Sequence, residues 1–233
     1  MEVVSLQGRV ADYLTALRSH PFIEGAERRE LSVEQAKRWV FCAGRESRSF
    51  PSILTGLLEW AEGDVIRGVI QENLDDEFGQ GDPEDAHFMH YLHLLDSMGV
   101  RRAEFDGYAE GAGIRFALSL AFNVATSRNL GQALGYMILN EAMTPVTYEA
   151  ARKALTTHFP LLVTDFFDLH ISVDAEHVDA LYRAAETVPP EAENDVHFGL
   201  ALAQRGMEIL LDEAYGVLDH HQGDIDVTRL AYG

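Results

Sequence analysis

Cysteine is almost missing from this chain: Cys42 is the only one in 233 residues. No internal disulfide can form, and a zinc or iron–sulfur centre built on several thiolates is excluded. Basic residues are also scarce, with 18 Lys and Arg against 38 Asp and Glu and a formal net charge of −20. Nucleic acids and anionic membrane surfaces are held largely by Lys and Arg, so neither is an expected partner. No apolar run approaches the roughly 18 residues of a membrane span. The opening residues, Met1-Glu2-Val3-Val4-Ser5, show no basic stretch leading into an apolar core. A signal peptide is therefore not expected, and a cytoplasmic location is. A phosphate-binding glycine loop with its Lys is absent, as is a Gly-x-Ser-x-Gly elbow.

What the chain does have is apolar residues, 47% of the total, recurring at helical spacing. Leu6, Val10, Leu14 and Leu17 form one such stripe, broken at His20-Pro21 because Pro disfavours helix in the residue before it. Ser32-Val-Glu-Gln35 has capping-box spacing and opens a helix through Trp39 to Trp60, with a break or kink near Pro51. A third helix runs from Gly63-Asp64 to Phe78-Gly79. After the turn Gly79–Pro83, with Asp82 as N-cap, a fourth carries His87 and stops near Gly99. Phe105–Ser127, Leu130–Thr157, Phe159–Val188 and Glu191–His221 complete the series, with Pro189-Pro190 as a clear break. No alternating strands, repeats or composition shifts appear. The expectation is an all-α bundle of about seven or eight helices, forming one domain over residues 1–233.

Possible metal ligands are distributed over this pattern. His170-x-x-x-Asp174-x-x-His177 places Asp174 about 40° and His177 about 20° from the direction of His170, on one face of a helix. Two imidazoles and a carboxylate suit iron, zinc or manganese. The stretch Ile171-Ser172-Val173 starts a helix poorly, and Ser172 as an N-cap would leave His170 just outside it. Glu77 and His87 flank the glycine turn and can converge. Glu141 lies in the apolar stretch Met137–Pro145, where an unpaired carboxylate is costly, and its two oxygens could bridge two metals. Taken singly, His87 or His177 reads more simply as a surface or hydrogen-bonded histidine, and Glu77 as part of the solvated run Asp75-Asp-Glu77. Glu84-x-x-His87 has the spacing of ferritin-like carboxylate ligands, so Glu84 competes with Glu77. Cys42 reads as a small core residue, and His220-His221 as exposed and incidental.

Taken together, the landmarks Glu30–Gln35, Ser49-Phe-Pro51, Asn73–Gly79, Glu141 with Pro145, and His170-x-x-x-Asp174-x-x-His177 resemble the haem-oxygenase-like di-iron oxidases and oxygenases. The resemblance runs from about Leu31 to Leu181. That group is similar in fold to haem oxygenase and the thiaminase-like TenA proteins. The resemblance implies a haem-oxygenase-like bundle with two Fe(II) ions, held by Glu77, His87, Glu141, His170, Asp174 and His177. It makes Glu141 the bridging and catalytic carboxylate, with Glu46 a further candidate ligand. One branch consumes its own tyrosine and lysine; the corresponding residues here are Ile23 and Ala151, so that chemistry is not expected. Ligation of haem through a first-helix histidine is not expected either, since His20 precedes a Pro at that helix's end.

The resemblance further implies an O2-dependent oxidoreductase acting on a small substrate. An amino acid is favoured, by desaturation, C–C fragmentation or N-oxygenation, because polar Arg115, Asn123, Thr126 and Asn140 interrupt the candidate pocket helices. Oxidative decarboxylation of a fatty acid is the alternative, with Phe116, Leu120, Phe122, Met137 and Phe167 as a candidate tunnel. A metal-free TenA-like hydrolase using Cys42, and a non-catalytic binding protein, are further alternatives. The electron donor and the oligomeric state are left open, a homodimer among the options.

Overall fold

The computed structural model describes residues 3–218, apart from the side chains of residues 3, 4 and 172–175. His220-His221 and the end of the Glu191–His221 stretch lie outside the described residues. Ten α-helices follow one another: α1 (Val3–Arg18), α2 (Pro21–Glu27), α3 (Val33–Leu58), α4 (Asp64–Glu77), α5 (His87–Ser97), α6 (Arg102–Asp106), α7 (Ala112–Thr126), α8 (Leu130–His158), α9 (Asp165–Glu186) and α10 (Glu193–Tyr215). Among the described residues there is no strand. The all-α expectation holds, but with ten helices in place of about seven or eight.

Two local features raise the count. His20-Pro21 ends α1 and also starts α2, because Pro is tolerated at the first helical position and the His20 ring accepts the Phe22 N–H at 3.1 Å. The stretch expected as one helix from Phe105 to Ser127 divides at residues 107–111 into α6 and α7. The start of α7 is fixed from outside: the buried Glu213 carboxylate on α10 accepts the N–H groups of Gly111 at 3.0 Å and Ile114 at 2.8 Å. Those donors have no partner within the helix, and a carboxylate suits the positive helix end.

The capping box at the start of α3 forms as expected. The Ser32 hydroxyl accepts the Gln35 N–H at 3.2 Å, and Gln35 Oε1 accepts the Ser32 N–H at 2.9 Å. Pro51 and Pro145 lie inside continuous α3 and α8 rather than ending them. Each lacks an N–H, so each frees the carbonyl four residues earlier, that of Ser47 and of Glu141.

Helix α8 is the central element, buried along most of its length and packed on α10, α9, α2 and α3. Its approach to α10 is close. A Cβ added to Gly135 would stand 2.0 Å from the Val196 carbonyl oxygen, and one on Gly199 2.1 Å from that of Gln132. Helices α3 and α9, which pack on α8, also pack on α4 and α5, and the candidate site lies among these five helices.

Candidate metal centre

Helix α4 ends on Asp75, Asp76 and Glu77, three acids at the negative end of a helix dipole. A purely structural sequence would avoid that placement. Gly79, Gln80 and Gly81, all at positive φ, then reverse the chain. A Cβ on Gly79 would lie 2.6 Å from the Ala86 nitrogen, so only glycine fits there. The reversal brings buried Glu77 against His87, the first residue of α5, and His87 Nδ1 is 3.0 Å from Glu77 Oε1. Burial pushes the Glu77 carboxyl up, an effect moderated by the bond to His87.

His170 completes this group from α9. The helix starts at Asp165, so His170 is inside it and Ser172 is not its N-cap. Its Nδ1–H donates to the Phe166 carbonyl at 2.7 Å, which leaves the Nε2 lone pair free. The ring packs against His87 and Phe166, each at 4.6 Å, and Tyr148 at 5.0 Å. Burial, followed by the neighbouring His87, pushes His170 down to about 3, so it is neutral at physiological pH. Glu77, His87 and His170 each offer one ligand atom within 4.8 Å of the others, all buried.

A second group adjoins the first. Glu141 is buried on α8, and its Oε1 accepts Asn73 Nδ2 at 2.9 Å. Its Oε2 lies 3.7 Å from His177 Nδ1, too far for a hydrogen bond, and that nitrogen is buried without a hydrogen-bond partner. His177 Nε2 contacts Asp76 Oδ2 at 2.9 Å. Burial works against charging His177, but Glu141 and Asp76 outweigh it and raise the ring to about 9. Asp174 is on the same helix, but its side chain is outside the described residues.

Glu46 on α3 lines the same cavity and is pushed up to about 7 by burial, then by the charge of Glu141. Glu84 does not compete with Glu77: it sits exposed in a 3-10 turn, because α5 begins at His87 and not at Pro83.

The cavity measures about 40 Å³ and is walled by Phe50, Asn140, Thr144, Tyr148 and Met207 beside the acids and imidazoles. Of the four polar residues expected at the pocket, Asn140 is there. Arg115, Asn123 and Thr126 are exposed on α7 and do not line it. The helical period places 115, 119, 122 and 126 on one outward face, while Ala117, Ala121 and Val124 face inward. None of the five expected tunnel residues lines the cavity, and Phe122 is on the outward face.

Cys42 is fully buried away from the cavity, 3.6 Å from Glu213 Oε1. Burial and that carboxylate push its thiol well up, the opposite of what a nucleophile needs. His20 is engaged in capping α2 and contacts Asp212 at 3.2 Å.

The donor chemistry fits a hard-to-borderline cation. Buried carboxylates and imidazoles converge, one of these imidazole nitrogens lacks a hydrogen-bond partner, and among the described residues no guanidinium or ammonium lines the cavity. Between Arg67 and Arg101 there are eight acids (Glu72, Asp75, Asp76, Glu77, Asp82, Glu84, Asp85, Asp96) and no Lys or Arg.

Comparison with known proteins agrees with this chemistry. A family model described as iron-containing redox enzyme matches residues 47–206. No curated protein matches the chain. A CADD-like protein of unknown function from Nostoc punctiforme PCC 73102 is similar in structure, with TM-score 0.77 and 17% identity, covering 94% of this chain and 99% of its own. A domain of unknown function with a heme oxygenase-like fold from Shewanella denitrificans OS217 gives TM-score 0.78 at 15% identity, covering 93% of each chain. A TenA homolog from Pseudomonas syringae pv. tomato DC3000 gives 0.68 at 10% identity, covering 90% of each. At such identities these structures establish the fold alone, a heme oxygenase-like helical fold.

Proposed function

The chain belongs to the family of iron-containing redox enzymes, and on that premise we propose that it is a non-haem di-iron oxidase or oxygenase using O2. The observation that carries this reading is the convergence of Glu77, His87 and His170 beside the Glu141–His177 pair. Glu77, His87 and His170 would hold one iron and His177 and Asp174 the other, with Glu141 as the remaining ligand. Iron bound there supplies one-electron redox steps and open coordination positions for O2.

The remaining work belongs to the chain's own groups. His170 stays neutral and so offers a lone pair without first losing a proton. Asn73 fixes one oxygen of Glu141 and keeps its carboxylate oriented. Phe50, Tyr148 and Met207 limit water beside the reacting atoms. Asn140 and Thr144, one turn apart on α8, offer hydrogen-bonding groups to a bound substrate.

A small cavity with polar groups on its wall favours a small polar substrate, and we assign an amino acid. The apolar residues considered for a fatty-acid tunnel do not reach it, so that alternative has less support. The test is anaerobic reconstitution with Fe(II), then exposure to O2 with candidate amino acids and fatty acids while the optical spectrum is followed. About two irons per chain and a transient absorption triggered by an amino acid are expected. A chain that takes up no iron, or Glu141→Ala and His177→Ala variants with unchanged iron content, would sink the reading.

A further inference from the structure

The C-terminal turns of α4 present more to the site than Glu77. Asn73, Asp76 and Glu77 are spaced i, i+3 and i+4, so they share one helix face. Each meets a different partner. Glu77 pairs with His87, Asn73 donates to Glu141, and Asp76 meets His177.

We infer that Asp76 is a positioning residue for the second iron, fixing the ring of His177 so that Nδ1 faces Glu141 and the cavity. The inference rests on the two-iron reading above. A histidine has two ring nitrogens, and a ligand must present one as a bare lone pair. Asp76 Oδ2 accepts the Nε2–H at 2.9 Å, which keeps a proton on that nitrogen and makes Nδ1 the one that gives up its proton to ligate. Nδ1 is buried, without a hydrogen-bond partner, and 3.7 Å from Glu141 Oε2. This is the carboxylate–histidine pairing that orients a metal ligand, and Nδ1 and Glu141 would hold the ion.

Asp76 is itself held. Gln80 Nε2 donates to its other oxygen, Oδ1, at 2.5 Å. Gln80 reaches back because its backbone adopts φ 51°, a left-handed conformation that is uncommon for a residue other than Gly, Asn or Asp. The order is therefore Gln80, Asp76, His177, with the amide orienting the carboxylate and the carboxylate orienting the ring. The two hydrogen bonds of Asp76 go to Gln80 and His177, not to His87 or His170. Its loss thus acts on one iron and spares the other.

The test measures iron per chain and its affinity by chelator competition, with Mössbauer spectra of ⁵⁷Fe-loaded protein and circular dichroism as a folding control. Asp76→Ala is expected to retain one iron and to weaken the second about 10- to 100-fold. Asp76→Asn, whose amide oxygen still accepts the Nε2–H, is expected to recover part of that loss. Gln80→Ala, at an exposed position, is expected to weaken the second iron to a smaller degree, and it serves if Asp76→Ala does not fold. Two irons with the wild-type spectrum in both Asp76→Ala and Gln80→Ala, or equal loss of both irons, overturns the inference. A wild-type protein that binds no iron instead overturns the functional reading on which it stands.

Discussion

His170 and His177 stand two turns apart on α9 and are driven in opposite directions by their neighbours. His170, among aromatic rings, is pushed down to about 3, while His177, between two carboxylates, is raised to about 9. The fold binds the His177 proton more tightly than the unfolded chain does. Its contribution to the metal-free protein is therefore complete below pH 6.5, the ordinary value, and is lost as pH rises through about 9. Glu46, raised from 4.5 to about 7, acts in the same sense at lower pH. His170 acts oppositely, costing stability as pH falls from 6.5 towards 3. Thermal unfolding in the presence of a chelator should show a melting temperature that declines between pH 6.5 and 9. His177→Gln should remove much of that decline, and an unchanged slope would contradict the assignment. Glu141 was legible in the sequence because its neighbours are apolar. Asp76 and Asn73 were not, because an acid in the run Asp75-Asp-Glu77 looks solvated until His177 is known to face it. The i, i+3, i+4 spacing with Glu77 was the available signal.

At the level of the helices, the close seam between α8 and α10 is what sets the site's back wall. Glu141 and Thr144 come from one and Met207 from the other. Gly135→Ala places a Cβ 2.0 Å from a backbone carbonyl, which cannot swing aside, so the helices must part. We expect a loss of about 1–3 kcal/mol, read by chemical denaturation, together with weaker iron binding. Helix identity was readable from periodicity and caps, as the Ser32 capping box illustrates. Helix boundaries were less so. The division between α6 and α7 depends on Glu213, about 100 residues later in the chain, and no local pattern announces a cap of that kind. The outward orientation of Arg115 and Thr126 could have been read from the same 3.6-residue period that located α7.

Across the whole molecule, the proposed ligands come from α4, α5, α8 and α9, so a bound ion ties together helices that are far apart in the chain. Anything that binds the folded state alone stabilises it, by about 2.7 kcal/mol at a hundredfold excess over Kd. Adding Fe(II) anaerobically should therefore raise the melting temperature, and Glu141→Ala should abolish the rise. A melting temperature indifferent to metal would count against a structural link of this kind. The acidic balance, evident from composition, could not show which acids turn inward, as Glu77 does from the end of α4.

The acidic stretch from residue 68 to 100, with no Lys or Arg, has a bearing on how the protein must be handled. Imidazole and carboxylate donors bind Zn(II) more tightly than Fe(II) under the Irving–Williams order, and an acidic surface attracts either ion. Discrimination then depends on which ion is supplied and when. A preparation grown in zinc-rich medium would be well folded, heat-stable and silent towards O2, and its silence would report the growth medium and not the enzyme.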